Sequence, residues 1–199
     1  MLADYPFRWE AGADDFDYPL DASGVPLVQM GKPHGLRYNA ITTSQFGLHN
    51  LQRFSEARDE PFLNHARNCV RWLFANFKPW RESIGGWIYD YSLPFYGPNA
   101  PWISGMAQGE AISLLLRFHQ IEPSEATERV TASALQAFFF PVADGGVVSA
   151  FPDGGLVFEE YPTGPPSQVL NGHIFALLGI LDYAAFFQHK AAGDLFDVA

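Results

Sequence analysis

Two stretches of the chain repeat one plan, and that repetition limits the fold more than any other feature. Gly85-Gly86-Trp87 and Gly145-Gly146-Val147 stand 60 residues apart, each after a pair of helical patterns and before a strand-like hairpin. Two helices plus a hairpin, repeated, is the organisation of solenoids and toroids, where each unit buries its apolar face on the next. The first pair begins with TTSQFGLHNLQRFSEA, which sets Phe46, Leu48, Leu51 and Phe54 at near-helical spacing behind Thr and Ser caps. Its partner, DEPFLNHARNCVRWLFANF, aligns Phe62, Ala66, Cys69, Val70, Leu73 and Phe77 on one wide face and ends at Pro79. Cys69 therefore reads as a small buried hydrophobe and not as a nucleophile. The second pair is PWISGMAQGEAISLLLRFHQI, starting near Pro101, and PSEATERVTASALQAFFF, opened by Ser124 and stopped by Pro141. A fifth helix is expected over Ser167–Phe187, with a frayed end after it.

The predicted fold is mainly α: an incomplete α/α toroid or barrel of helix pairs with short β-hairpins. Residues 1–41, rich in Pro, Gly and Asp, are expected to form an N-terminal arm and a substrate-type loop, and 42–199 a helical domain. The fifth helix is the most apolar and has no following partner in this reading. Either a homodimer or further chain is then expected to cover it.

Length and composition exclude several classes. The 199 residues carry 17% charged and 16% aromatic side chains, which rules out a largely disordered chain. A formal charge of −10 argues against a nucleic-acid partner. One Cys excludes an internal disulfide framework and any multi-cysteine metal site. No run reaches the roughly 20 uncharged apolar residues of a membrane span, and the acidic start lacks the pattern of a signal peptide. A soluble, cytoplasmic chain without membrane contact is expected. Charge is unevenly spread: residues 32–81 hold eight basic and three acidic side chains, while 82–199 hold three basic and thirteen acidic. The basic block suits an anionic ligand, or merely solvates helix faces.

The densest group of chemically capable residues is FEEYPTGPPSQVLNG, just before the fifth helix. Neighbouring Glu159 and Glu160 point to opposite sides of an extended segment, so one enters a cleft as a proton-transfer base while the other stays in water. Tyr161 is the candidate acid, needing help from its surroundings because a free phenol titrates near ~10. The alternative is a solvated Glu-Glu pair followed by a Tyr-Pro turn. In GKPHGLRYN, Lys32, His34 and Arg37 offer an anion loop, or ordinary loop solvation. Gln108, in MAQGEA, suits a sugar site or a polar helix-end contact. Asp90 or Glu110 with Glu159 or Glu160 would supply the carboxylate pair of an inverting glycosidase. No HExxH, GxSxG, P-loop or GxGxxG motif occurs, so neither a catalytic zinc site nor a cofactor is expected.

Three segments, GVPLVQMGKPHGLRYNAITTSQFGLHNL, PWISGMAQGEAISLLLRF and EEYPTGPPSQVLNGHIFALLGILD, together resemble the D-glucuronyl C5-epimerase family of heparan sulfate and heparin biosynthesis. The resemblance runs from about Gly24 to Asp182 and implies a helical α/α barrel. It also implies an isomerase that inverts C5 of glucuronate in a heparosan-like glycosaminoglycan, giving iduronate, with an acidic polysaccharide as partner. By the same resemblance Glu160 and Tyr161 are catalytic, Tyr38 contacts substrate, and Asn171 matches the VLNG part of the motif in a binding or a structural role; Arg37, His34 and Gln108 join the expected substrate contacts on the reading of the residues given above. The short path from the first segment into helices resembles a bacterial-type short form. The family's further catalytic tyrosines lie in a tail that has no counterpart before Ala199, so a C-terminally truncated form is expected. A glycan-holding module without chemistry, and a hydrolase or lyase on a related barrel, are the competing readings.

Overall fold

The computed structural model describes Leu2, residues 4–9 and residues 16–199. Part of the expected arm, Met1, Ala3 and residues 10–15, lies outside the described residues. The elements are β1 (Val28–Gln29) and β2 (Leu36–Arg37), then α1 (Ala40–Ala57), α2 (Glu60–Asn76), β3 (Phe77–Arg81) and β4 (Ile84–Trp87). They continue with α3 (Gly105–His119), α4 (Glu125–Leu135), β5 (Val148–Ala150), β6 (Leu156–Phe158), α5 (Leu170–Phe187) and α6 (Lys190–Val198). Three two-stranded antiparallel hairpins join β1 to β2, β3 to β4 and β5 to β6. The protein is mainly α with short sheets, as expected.

The repeat is more regular than its glycine landmarks indicate. α1, α3 and α5 begin at residues 40, 105 and 170, and α2, α4 and α6 at 60, 125 and 190, so both series advance by 65 residues. The Gly-Gly pairs recur after only 60 and occupy different places, Gly85 and Gly86 lying inside β4 and Gly145 and Gly146 just before β5. α3 packs on α1 on one side and on α5 on the other, and each of the three pairs with the helix that follows it. Asn39, Ser104 and Ser124 accept from the first-turn amides of Ile41, Ala107 and Ala126, which fixes where α1, α3 and α4 start.

Small residues set the α3–α5 spacing. A Cβ on Gly109 would lie 2.6 Å from the backbone of Phe175 and Ala176, and one on Gly179 2.3 Å from the Gly109 carbonyl oxygen. The two backbones therefore meet at a distance no larger residue permits. A buried ion pair adds to the contact, with the Arg117 guanidinium and Ser113 hydroxyl both on the Asp182 carboxylate. Tyr5 of the N-terminal segment lies over Arg117, its ring centroid 4.9 Å from the guanidinium carbon.

The hairpins are tied to the helices by one recurring bond. Gln108, the fourth residue of α3, accepts from the Trp87 amide at the end of β4 (3.4 Å) and donates to the carbonyls of Gly85 and Ala134. His173, the fourth residue of α5, accepts through Nδ1 from the Phe158 amide at the end of β6 (3.1 Å). Gly86 is required beside the first tie, since a Cβ there would sit 2.8 Å from the Gln108 amide oxygen.

Several expectations are corrected. α2 ends at Asn76, and Pro79 lies inside β3, opposite Gly85. α3 begins at Gly105 rather than near Pro101, because the Ser104 side chain caps it, and α5 begins at Leu170 rather than Ser167. The last residues form α6, whose His189 cap accepts from the Ala192 amide, so the fifth helix does have a following partner. α5 is also long and apolar enough, by length and composition, to cross a membrane, contrary to the expectation that no segment would be. Its packing on α3 and α6 accounts for part of that apolar character. Cys69 is fully buried, and burial pushes its thiol pKa up.

Candidate active site

The loops that carry the candidate residues all lead into the first helix of a pair. Arg37 and Tyr38 precede α1, the Tyr89–Trp102 segment precedes α3, and Glu160 and Tyr161 precede α5. The β6–α5 loop is fastened by Glu159. Its carboxylate accepts from the Ser149 hydroxyl, the Ser167 hydroxyl (2.6 Å) and amide (3.1 Å), and the Gln168 amide (2.9 Å). Gln168 is held at a φ of +50°, a left-handed conformation that the bond to Glu159 supports. The Glu159 carbonyl in turn accepts from the Gly105 amide, which docks this loop on the start of α3.

With Glu159 engaged, Glu160 is the carboxylate of the pair that keeps an oxygen free. It is 6% exposed, lies against Gly172, and its Oε2 is buried with no hydrogen-bond partner. Burial raises its pKa, against a smaller lowering by the Tyr161 hydroxyl. Burial and the neighbouring Glu160 push the Tyr161 phenol far up in turn. Both acids of the Glu-Glu pair are therefore buried. The expectation that one stays in water fails, because the loop folds back over the segment and supplies Glu159 with its own donors.

A continuous row of rings runs from Tyr161 to the first loop. Tyr96 stacks on Tyr161 (centroids 4.7 Å apart), Tyr161 tilts onto Trp102 (5.9 Å), and Trp102 stacks on Tyr89 (4.2 Å). Tyr89 meets Tyr91 edge-on (5.7 Å), and Tyr91 meets His34 (5.4 Å). The Tyr89 hydroxyl donates to Asn39 Oδ1 (3.0 Å), the residue that caps α1. Beside the row lies a cleft of about 260 Å³ lined by Arg37, Tyr38, Trp72, Lys78, Tyr89 and Tyr91. Burial and Asp90 raise the Tyr91 phenol to about 12 against an opposing pull from Arg37. The Tyr38 hydroxyl donates to Asp21 Oδ2 (2.7 Å), and its ring tilts on Trp72 (5.3 Å).

The structure thus brings Glu160, Tyr161, His34, Arg37 and Tyr38 to one side of the molecule through a shared row of rings. It does not bring Gln108 there, because that amide is fully buried and bonded to the hairpin and α4 backbone. Asn171 is exposed on the first turn of α5, one residue before the Gly172 that contacts Glu160. Asp90 is exposed beside Tyr91. Sequence reasoning passed over Tyr89, Tyr91, Tyr96 and Trp102. The signal was present in WIYDYSLPFYGPNAPW, where six aromatics in sixteen residues exceed what one short strand buries. Among the described residues no three metal-ligating side chains cluster.

A buried carboxylate with a free oxygen and a phenol beside it have the chemistry to move a proton, and the row of stacked rings offers flat apolar faces next to them. The sequence model of the family described as D-glucuronyl C5-epimerase C-terminus matches residues 81–199, which span both α3 and the β6–α5 loop, and the chain belongs to that family. It is 43% identical over 81 residues to a D-glucuronyl C5-epimerase of Caenorhabditis elegans, covering 41% of this chain and 13% of the relative. An uncharacterized protein of Methanocaldococcus jannaschii is 28% identical over 100 residues, covering 49% of this chain and 32% of that protein. The chain therefore spans well under half the length of these curated relatives.

Proposed function

We propose that this chain is the site-bearing part of a uronate C5-epimerase acting on an acidic, heparosan-like polysaccharide. In this reading the three helix pairs form an arc of an α/α toroid, with the loops before α1, α3 and α5 converging on the sugar. The observation that carries it is the free, buried oxygen of Glu160 beside Tyr161, at the end of a row of rings that leads to Arg37.

The chemistry asks for three things. The C5 proton is α to a carboxylate and weakly acidic, so a base of raised pKa must meet it in a site shielded from water. Glu160 fills that role, taking the proton at its carboxylate. Tyr161 lies beside Glu160 on the same face and assists that transfer, and inversion needs a proton returned to the opposite face of C5 by a further group. The charge that develops on the uronate carboxyl needs donors close to Glu160, whereas Arg37, at the far end of the row, suits the acid group of another sugar along the chain. The stacked faces of Tyr96, Tyr161, Trp102 and Tyr89 offer apolar planes to the C–H faces of consecutive sugars, whose hydroxyl rims remain free to hydrogen-bond.

Deuterium uptake at uronate C5 from heavy water, with N-sulfated heparosan as substrate, tests the reading. Uptake that is lost in Glu160→Gln and accompanied by iduronate formation supports it. A folded protein that binds the glycan and exchanges no C5 proton would show a holding module instead.

A further inference from the structure

The row of rings ends, on the side away from Arg37, in a turn of the β4–α3 segment whose tip is Phe95. This ring is 90% exposed, more than any other large apolar side chain among the described residues. A lone exposed ring needs no account, because much of any protein surface is apolar. Phe95 is not alone. Its ring meets Tyr96 edge-on (centroids 5.1 Å apart), and Tyr96, itself 52% exposed, stacks on Tyr161 (4.7 Å).

The turn is built to hold its shape. The Leu93 carbonyl accepts from the amides of Tyr96 (3.0 Å) and Gly97 (2.8 Å), and the Leu93 amide donates to the Pro98 carbonyl (2.9 Å). The Ser92 hydroxyl accepts from the Ala100 amide (2.9 Å). Leu93 packs on the core and Pro98 is buried, so the chain is anchored on both sides of the tip. Gly97 has a φ of +102°, and a Cβ there would lie 2.9 Å from the Thr163 methyl carbon, which seats the turn on the β6–α5 loop. A ring already fixed in water has little freedom to lose when a ligand covers it.

Charge narrows what that ligand is. Residues 91–109 and 161–172, the turn and the loop it is seated on, carry no charged side chain, whereas Arg37 and Lys78 line the cleft beside the other end of the row. A sulfate or carboxylate laid on the turn would be stripped of water with no cation from either segment to meet it. The C–H face of an uncharged pyranose needs no such partner and suits a flat ring. We propose that Phe95, backed by Tyr96, is a binding ledge for an uncharged sugar of the polysaccharide, at the opposite end of the row from Arg37.

The proposal rests on the reading of this chain as one that acts on a heparosan-like polymer, but its test does not require turnover. Calorimetry on the full chain compares N-acetylated with N-sulfated heparosan oligosaccharides, whose amino sugar is uncharged in the first and charged in the second. Wild type, Phe95→Ala and Phe95→Trp should melt alike, because the ring is so exposed. Affinity for the N-acetylated chain should fall about three- to tenfold in Phe95→Ala and be kept in Phe95→Trp. That loss should be the same at about 0.05 and about 0.5 M salt, since no charge takes part, and should shrink with the N-sulfated chain.

Phe95→Ala that binds the N-acetylated chain as wild type does overturns the ledge, as does a loss that vanishes in salt or is equal for the two polymers. An effect confined to self-association at high protein concentration overturns it too, making the ring a contact between copies. Wild type that binds but exchanges no C5 proton would sink the epimerase reading, while the ledge would still be judged by the affinity ratio. Wild type that binds neither polymer would overturn both.

Discussion

Two adjacent glutamates in this chain have opposite employments. Glu159 has donors on both oxygens and holds the loop in place, whereas Glu160 keeps one oxygen free. Replacement of Glu159 by Gln should therefore loosen the loop before it affects proton transfer, whereas Glu160→Gln should abolish C5 exchange with little loss of stability. Tyr161→Phe is expected to remove epimerisation while thermal unfolding shifts by no more than about 1 kcal/mol, since the hydroxyl lies at a half-buried loop. Measured kcat on the glycan together with a melting curve decides it: loss of fold with activity would make Tyr161 structural. The raised pKa of Glu160 sets a direction for pH. A base works only when ionised, so the acid limb of kcat/KM should fall at a pH above the ordinary carboxylate value of 4.5. A limb at or below that value would remove Glu160 from the role. The sequence already pointed to these two residues through the EEYPT segment. It did not show that both acids are buried, because Ser149, Ser167 and Gln168 reach Glu159 only after the hairpin and loop have closed.

At the level of elements, the α3–α5 contact depends on two glycines whose backbones touch. Gly109→Ala puts a methyl against the Phe175 carbonyl and should cost about 1–3 kcal/mol, read as a lower denaturation midpoint with unchanged slope. The ion pair beside it behaves differently from a surface bridge. Arg117→Ala leaves Asp182 buried without its partner and should cost about 3–5 kcal/mol. The paired replacement Arg117→Met with Asp182→Leu should recover most of that, and a double variant as unstable as the single would show that packing, not charge, was lost. Helix existence was legible from 3.6-residue spacing, and the Ser124 cap from its acidic first turn. Other boundaries were missed where a cap rather than the nearest proline decided them, as at Ser104. α6 was missed because its His189 cap is not among the usual residues and its nine positions are too few for a strong apolar period.

Over the whole molecule, a net charge of −10 coexists with Arg37, Lys78 and His34 around the cleft. Binding of an anionic glycan should weaken as salt is raised from about 0.05 to about 0.5 M, as screening shortens the reach of these charges. Affinity that ignores salt would mean that stacking on the rings dominates. The repeat was visible in the sequence, but its 65-residue step was obscured because the two Gly-Gly landmarks sit at different places relative to their hairpins. The aromatic row was only partly legible: four of its rings come from one aromatic-rich segment, but Tyr161 and His34 join them from other loops only in three dimensions.

The placement of the site loops has a practical corollary. Every candidate group sits where the chain enters the first helix of a pair, so the turns joining the two helices of each pair, around residues 58, 121 and 188, lie at the other end of those helices. The candidate site loops and the turns within each helix pair thus lie on opposite rims of one scaffold. The far rim is where a fluorophore, an affinity handle or a longer connector can be grafted, and where drift in sequence is cheapest. The near rim will tolerate none of these without a change in what the protein recognises.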